Sequence, residues 1–225
     1  MTYSDAELTE TGVAAPEGGG AGRTLLIACG ALAREILALR AANGWSHLDL
    51  ACLPALLHNR PERIPEAVRA RIHAARAAGY ATVLVVYADC GTGGLLDTVC
   101  EEEGVTRIAG PHCYAFFDGN AAFAERAEAE IGAFYLTDFL ARQFEALVWR
   151  GMGLDRHPEL LELYFAHYDR LIYLAQTEDP ALTAAAEAAA TRLGLRFERR
   201  FTGYGELPAF LAGAAGGLSR PSEPA

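Results

Sequence analysis

The chain has 225 residues, of which 52% are hydrophobic, and its formal net charge at pH 7 is −10. This length allows one α/β domain with a full core, whereas the acidic charge argues against nucleic acid and anionic membrane as partners, since both require a basic surface. All 19 residues counted as lysine or arginine are arginine, which excludes the lysine-containing phosphate loop and pyridoxal phosphate chemistry.

The two ends of the chain differ in composition from its middle. Residues 1–22 and 212–225 lack apolar periodicity and are rich in small, polar or acidic residues, which predicts two disordered segments around a single domain at 23–211. No apolar run reaches the roughly 18 residues that a membrane span requires. Because the first residues also lack the basic and then apolar pattern of a signal peptide, we expect a cytoplasmic protein.

Between these ends, strand-like and helix-like segments alternate along the chain. Apolar runs predict strands at 24–28, 47–51, 83–86, 105–109, 170–176 and 195–201. Amphipathic patterns between the strands predict helices, and residues 121–168 have a helical pattern throughout. The alternation indicates a three-layer α/β/α fold with a mostly parallel, Rossmann-like sheet, to which residues 121–168 add an inserted helical cap.

Three cysteines follow three of these strands, each of them next to a glycine-containing loop. Cys29 stands before a glycine, Cys90 lies in DCGTGG, and Cys113 ends GPHC. Because the carboxyl ends of parallel strands meet at one edge of a sheet, where α/β proteins bind ligands, we expect these thiols to share a metal site. Three thiolates suit zinc or an iron–sulfur cluster, and three protein ligands leave zinc an open position for catalysis. For Cys52 and Cys100, packing as small hydrophobic residues is the preferred interpretation.

Other polar residues in the same loops are candidates for proton transfer and binding. His58 lies in LLHNRPERIP, where a histidine can be a metal ligand, a general base or a loop residue bonded to the backbone. We assign catalytic roles to His58 and to Asp89, the latter as a group that orients a metal ligand. Arginine side chains in this loop suit an anionic substrate. The predicted substrate-binding residues are Asn59, Arg60, Arg63, Thr92, Gly93 and His112.

The chemistry that this set favours is activation of a thiol or water at zinc, which lowers the pKa of the bound group and supplies a nucleophile at neutral pH. Other interpretations stay open. A metal-free Cys–His hydrolase would use Cys90 or Cys113 as the nucleophile and His58 or His112 as the base. A redox pair of thiols is a further alternative, although the usual adjacent resolving cysteine is missing.

Longer motifs surround these residues. The segments ACGALAREI, LPALLHNRPERIP, YADCGTGG, GPHCYAFF and YLTDFLARQFEALVWRGMGLDRHPEL, within Ile27 to Tyr173, resemble the recurring motifs of a bacterial and archaeal family of unknown function. Members of that family tend to be encoded near corrinoid-dependent methyltransferases, corrinoid proteins and their reductive activators. The resemblance implies a place in one-carbon methyl transfer, either as a metal-dependent transferase or as an iron–sulfur or corrinoid-handling accessory protein without its own turnover. The expected partners are a small anionic or thiol substrate and corrinoid or methyltransferase proteins.

Overall fold

A computed structural model of the protein describes residues 3–216. Its strands are β1 (Thr24–Cys29), β2 (Leu48–Leu53), β3 (Thr82–Val86), β4 (Thr106–Arg107), β5 (Ala133–Thr137), β6 (Arg170–Ala175) and β7 (Arg196–Phe201). Its α-helices are α1 (Ala33–Ala42), α2 (Ile64–Ala77), α3 (Leu95–Glu102), α4 (Cys113–Asp118), α5 (Asn120–Arg126), α6 (Asp138–Arg142), α7 (Leu160–Phe165), α8 (Pro180–Leu193) and α9 (Leu207–Ala215). Short 3-10 and π-helical turns lie between several of them.

These elements form two compact units. The first unit comprises the described residues up to Ala109 and those from Glu206 onward, and the second unit comprises Gly110–Gly205. The first unit contains a four-stranded sheet in the order β2-β1-β3-β4, and the second a three-stranded sheet in the order β5-β6-β7. All neighbouring strands in both sheets are parallel. The predicted α/β/α class with parallel, Rossmann-like sheets is therefore confirmed, with two sheets where one was predicted.

The sequence of each unit explains its layers. Every residue of β1 and β2 is buried, as expected for parallel strands that helices cover on both faces. In the second unit, Leu171 and Tyr173 of β6 pack into the larger core cluster, while Ile172 and Leu174 pack into a smaller one. This alternation follows the two-residue period of a strand and places a core on each face of the three-stranded sheet.

The helices of the first unit follow the predicted amphipathic pattern. In α2, Ile64, Val68 and Ile72 are buried at intervals of four residues, so one face of the helix packs on the sheet. A proline follows Ile64 in the first helical turn, where its missing N–H costs no hydrogen bond. The chain leaves α2 through Gly79, whose φ of 89° lies in the region that glycine adopts without strain.

Three segments differ from the sequence predictions. The predicted helical insertion at 121–168 contains β5, which ends at Thr137, a residue whose side chain caps the following α6. Residues 7–11, within the segment predicted to be disordered, form a π-helical turn with Leu8 fully buried, and Val13 pairs with Cys52. In the tail predicted from residue 212, α9 continues to residue 215, and residues 217–225 lie outside the described range. Within the described range, none of the helices combines the length and apolar character needed to cross a membrane.

Candidate functional site

Two of the three strand-end cysteines lie at the carboxyl edge of the four-stranded sheet. Cys29 is the last residue of β1, and its sulfur accepts a hydrogen bond from the Ala31 N–H at 3.3 Å. Cys90 lies in the loop that connects β3 to α3. Because β1 is hydrogen-bonded to both β2 and β3, Cys29 has the loop after β2 on one side and the Cys90 loop on the other. The expectation that one sheet edge gathers thiols holds for this pair.

His58 comes from the loop after β2 and contacts this pair. Its Nδ1 lies 3.6 Å from the Cys29 sulfur and 3.2 Å from the carbonyl oxygen of Ala55. A carbonyl only accepts hydrogen bonds, so Nδ1 carries the proton and Nε2 is the acceptor nitrogen of the neutral imidazole. The ring stacks on that of Tyr87, with centroids 6.1 Å apart and planes 16° apart. The imidazole is therefore fixed on two sides.

Cys90 affects the electrostatics of the same imidazole. Burial lowers the pKa of His58, but a hydrogen bond to Cys90 and the charge interaction with it, together with the Ala55 carbonyl, raise that pKa further than burial lowers it. The net pKa of His58 therefore lies above its ordinary value. This is the electrostatic signature of a histidine that shares or takes a proton from a thiol.

The backbone of Cys90 is strained. Its φ is 51°. Within residues 3–216, no other residue except glycine has a positive φ. This conformation is sterically costly for a residue with a Cβ atom, and such strain concentrates at functional sites. The next residue, Gly91, lies next to Pro61: a Cβ atom added at Gly91 would be in ordinary contact, 3.5 Å from Cβ of Pro61. The Cys90 turn thus lies against the loop that carries His58.

Asp89 has a structural role in this turn. Its carboxylate accepts hydrogen bonds from the Thr92 hydroxyl at 2.7 Å and from the N–H groups of Gly93 and Gly94 at 3.1 and 2.8 Å. Burial raises the pKa of Asp89, but the hydrogen bonds from Thr92 and from the backbone of Gly94, Gly93 and Gly91 lower it more. The Thr92 hydroxyl and the Gly93 N–H, which were predicted to contact the substrate, therefore donate to Asp89 within the loop. Asp89 fixes the conformation of the turn.

Tyr87, which the sequence analysis did not select, lies beneath the two thiols. It is 1% exposed, and no residue in the described range makes a regular hydrogen bond to its hydroxyl. Burial raises the pKa of Tyr87 well above its ordinary value, and the neighbouring Cys29 adds to this effect. Burial likewise raises the pKa of the Cys29 thiol to about 11, against opposing effects of the Ala31 N–H and the Tyr87 hydroxyl. The hydroxyl of a buried tyrosine normally has a hydrogen-bond partner. A tyrosine directly after a buried strand therefore indicates, from sequence alone, a polar group that other residues at this sheet edge can contact.

The N-terminal segment covers part of this edge, which the sequence did not reveal. A Cβ atom on Gly30, directly after Cys29, would overlap the carbonyl oxygen of Leu8. The turn at Glu7–Thr11 also contacts the turn at Ala55–Asn59 that carries His58. Cys29 is consequently only 2% exposed, whereas Cys90 is partly exposed.

Of the predicted substrate-binding residues, three lie on the surface of the His58 loop. Asn59, Arg60 and Arg63 are exposed. Neither guanidinium group has an ion-pair partner within the described part of the chain, in contrast to Arg69 and Arg107, which bind carboxylates. The loop therefore presents two arginine side chains without an ion pair, and the exposed Glu62 lies between them in the sequence.

Cys113 and His112 belong to the second unit. Cys113 begins α4, and the His112 ring lies 6.2 Å from that of Tyr114. Cys29, His58 and Cys90 all belong to the first unit. Among residues 3–216, no group of three or more His, Cys, Asp or Glu side chains is arranged to hold a metal ion. Cys29, His58 and Cys90 supply soft donors of the kind that zinc prefers, but their geometry is not that of a closed ligand set.

The remaining two cysteines are buried, as the packing interpretation expects. Cys52 in β2 is fully buried, and burial raises the pKa of its thiol far above the ordinary value. Cys100 lies within α3, where burial raises the pKa of its thiol to about 11.

Comparison with known proteins gives a family without a known activity. A family model described as "Protein of unknown function (DUF1638)" matches residues 52–211, which is more than half of the chain and includes His58 and Cys90. Neither a curated protein nor a solved structure matches the chain. The chain belongs to the DUF1638 family of proteins of unknown function.

Proposed function

We propose that this protein is an enzyme in which the Cys90 thiolate is the nucleophile and His58 is the group that takes its proton. The observation that carries the proposal is the position of Cys90 in a strained turn after a buried strand, where the turn packs through Gly91 against the loop that carries His58. A thiolate is a far better nucleophile than a thiol, and an adjacent imidazole is a common way to produce it.

The hydrogen bonding of the turn favours some reaction classes over others. Acyl transfer needs N–H donors that stabilise an oxyanion next to the nucleophile. After Cys90, the N–H groups of Gly93 and Gly94 bind the Asp89 carboxylate, and that of Thr92 binds the Asp89 carbonyl oxygen at 3.1 Å. These three donors are engaged within the turn, which favours attack on a sulfur or a saturated carbon, where no oxyanion develops, over the predicted hydrolase.

The charge beside the site indicates the kind of substrate. Arg60 and Arg63 lie on the same loop as His58 and have no carboxylate partner in the described range. A guanidinium group binds a carboxylate or phosphate through two parallel hydrogen bonds. A small anionic molecule is accordingly the substrate that we propose.

Metal-dependent chemistry is the second candidate. The separation of 3.6 Å between the Cys29 sulfur and His58 Nδ1 is close to that of two ligands on one tetrahedral zinc ion, although Nδ1 would have to release the proton that it donates to the Ala55 carbonyl. No described group of three donors fits a metal, however, so we derive no step through one. Zinc, or alternatively an iron–sulfur cluster, remains a proposal for this edge, as does a role in corrinoid-linked methyl transfer in the cytoplasm, as an enzyme or as an accessory protein.

Selective alkylation tests the proposed nucleophile. Folded protein is treated briefly with iodoacetamide at pH 7, and each cysteine is quantified by peptide mass spectrometry. We expect Cys90 to react about tenfold faster than the other four cysteines, and the His58→Gln variant to lose most of that advantage. Cys100→Ser is the matched control and leaves the Cys90 rate unchanged. Equal rates at Cys90 and Cys100 in the folded protein contradict the proposal.

Metal analysis of protein purified without air tests the second candidate. Zinc or iron bound in a near-stoichiometric amount, and lost in a Cys29→Ser variant, supports it. Protein that is free of metal, does not gain metal on reconstitution and still shows the fast Cys90 reaction favours the metal-free nucleophile.

A further inference from the structure

Two thiols, rather than one, lie at the sheet edge that carries His58. The Cys29 sulfur lies 3.6 Å from Nδ1, and the Cys90 turn packs through Gly91 against Pro61 of the His58 loop. A nucleophilic cysteine needs only one histidine and no second thiol. The second thiol at this edge therefore requires its own explanation.

The two thiols differ in access to solvent. Cys90 is partly exposed in its turn, whereas Cys29 is 2% exposed beneath the N-terminal segment. An external disulfide can reach Cys90 but not Cys29. Conversely, Cys29 can reach only a sulfur that is already bound at Cys90. In thiol–disulfide exchange, Cys90 would therefore be the attacking thiol and Cys29 the resolving thiol.

We propose that Cys90 and Cys29 form a redox-active dithiol that reduces small anionic disulfides. This inference rests on the proposed role of Cys90 as the nucleophile and adds the substrate class and the second reacting residue. The exposed Arg60 and Arg63 provide the positive charge that attracts an anionic disulfide to Cys90.

The reaction has two balanced steps. The Cys90 thiol gives its proton to His58, its sulfur bonds to one sulfur of the disulfide RSSR, and the S–S bond breaks to release RS⁻, which takes the proton. The Cys29 sulfur then bonds to the Cys90 sulfur, the mixed disulfide breaks, and the second RS⁻ leaves with the Cys29 proton. In total, the protein dithiol and RSSR give the protein disulfide and two RSH.

The two cysteines lie at the same end of neighbouring strands. Ala28 of β1 is aligned with Val86 of β3, which places Tyr87 opposite Cys29 and Cys90 three residues further along the turn. A disulfide joins Cα atoms roughly 4.4–6.8 Å apart, so the proposal requires the turn to bring Cys90 toward Cys29. Gly91, Gly93 and Gly94, all with positive φ, give the backbone of the turn the freedom for this movement.

Cys52 is a less suitable partner for Cys29. It is aligned with Ala28 in the β1–β2 register. Since residues aligned in register share a face and successive residues alternate, Cys52 lies on the face opposite to that of Cys29. Tyr87 follows Val86 and shares the face of Cys29, and its hydroxyl, without a regular partner in the described range, is available to the Cys29 thiolate.

Exchange with oxidised glutathione, a disulfide with a net negative charge, tests the proposal. Fully reduced protein is mixed with it at pH 7.5, quenched with acid, and mapped by mass spectrometry. We expect the wild type to form the Cys29–Cys90 disulfide and to release two reduced glutathione molecules. Cys29→Ser should instead accumulate glutathione bound at Cys90. The matched controls Cys52→Ser and Cys100→Ser should behave as the wild type.

The outcomes separate the two proposals. A stable mixed disulfide at Cys90 in the wild type, with no internal disulfide, overturns the dithiol while leaving Cys90 as the nucleophile. Reaction at another cysteine with none at Cys90 overturns both. For the substrate class, the positively charged disulfide cystamine should react about tenfold more slowly than oxidised glutathione at low salt. This difference should shrink in a variant that combines Arg60→Gln and Arg63→Gln, and equal rates in the wild type overturn the anionic preference.

Discussion

Each unit places one fully buried tyrosine in or directly after a sheet strand, and the two tyrosines have opposite surroundings. In the second unit, Tyr173 donates a hydrogen bond to Oδ1 of the buried Asp138 at 2.7 Å. In the first unit, the Tyr87 hydroxyl has no regular hydrogen bond to any described residue and lies near two thiols. A buried polar group without a partner costs stability. The first unit therefore carries a cost at this edge that the second unit avoids.

The edge around Asp138 is a complete hydrogen-bond network. The Asp138 carboxylate also accepts bonds from the Gln176 N–H at 3.0 Å and the Thr177 hydroxyl at 2.6 Å. The Gln176 side chain in turn accepts the Asp138 N–H and donates to the Leu174 carbonyl. Buried networks in which every group is satisfied specify and rigidify a fold. The edge of the second unit is thus fully hydrogen-bonded, whereas the edge of the first unit leaves the Tyr87 hydroxyl without a regular partner, in agreement with the role that we propose for it.

The largest expected effect is the loss of Asp138. Asp138→Ala removes the acceptor for Tyr173, Thr177 and the Gln176 N–H, and leaves the buried donors of Tyr173 and Gln176 without partners. We expect a loss of about 3 kcal/mol in the free energy of unfolding, measured by urea denaturation. The Cys90 alkylation rate of the folded variant should stay unchanged, because Asp138 belongs to the structural edge. A variant of wild-type stability would show that the network contributes little and would remove the contrast between the edges.

A smaller effect is expected from Gly30→Ala in the first unit. The new methyl group would overlap the Leu8 carbonyl oxygen, so the N-terminal segment must shift away from Cys29. We expect a loss of about 1–3 kcal/mol in the free energy of unfolding and faster alkylation of Cys29. Gly216→Ala is the matched control, since its Cβ atom would be in ordinary contact, 3.5 Å from the Ala212 carbonyl oxygen. Unchanged alkylation of Cys29 would mean that the segment does not protect it.

The tyrosine pair tests the comparison most directly. Tyr173→Phe leaves the Asp138 carboxylate with one donor fewer and should lower the free energy of unfolding by about 1–2 kcal/mol. Tyr87→Phe removes a buried hydroxyl that has no regular bond and should raise the free energy of unfolding by about 1 kcal/mol. It should nevertheless slow formation of the Cys29–Cys90 disulfide. Equal destabilisation by both substitutions, measured by urea denaturation, would indicate that Tyr87 has a structural partner.

Much of the fold follows from local sequence patterns. The buried runs around β1, β2, β3 and β6 are apolar enough to be recognised as strands of a parallel sheet, and all four are present. By contrast, the sequence of β5, AFYLT, lies between helical segments and is short enough to be either one helical turn or a strand. Periodicity cannot distinguish a helix from a strand in so short an apolar run, so the pattern predicts a helix where the structure has a strand.

The sequence predicts the site correctly only where strands that are consecutive in the chain also belong to the same sheet. Cys29, His58 and Cys90 follow three adjacent strands of one sheet, and the structure brings them together. Cys113 follows β4 just as regularly, but the chain enters the second unit after Ala109. The alternation of strands and helices carries no information about which sheet a strand joins. Likewise, the anchoring of residues 7–11 depends on the single apolar side chain of Leu8 and on a glycine far along the chain, which no local pattern reveals.

The smallest expected effect concerns Glu103 in the first unit. Like Asp138 it is an acidic residue with several partners, but it follows a helix, whereas Asp138 follows a strand. Glu103 follows α3 and binds His73, Arg76 and Arg69 of α2. The hydrogen bond from His73, followed by those from Arg76 and Arg69, lowers the pKa of Glu103 to about 2 against the effect of burial. A carboxyl with a lowered folded-state pKa stabilises the protein above its unfolded pKa of about 4.3, and this contribution disappears as the pH falls toward 2.

The melting temperature of the wild type should therefore fall between pH 5 and pH 2 more steeply than that of Glu103→Gln. Glu102→Gln, which removes only the exposed pair with Arg69, should follow the wild-type curve. Parallel curves for Glu103→Gln and the wild type would show that the cluster binds no more strongly than an ordinary surface ion pair.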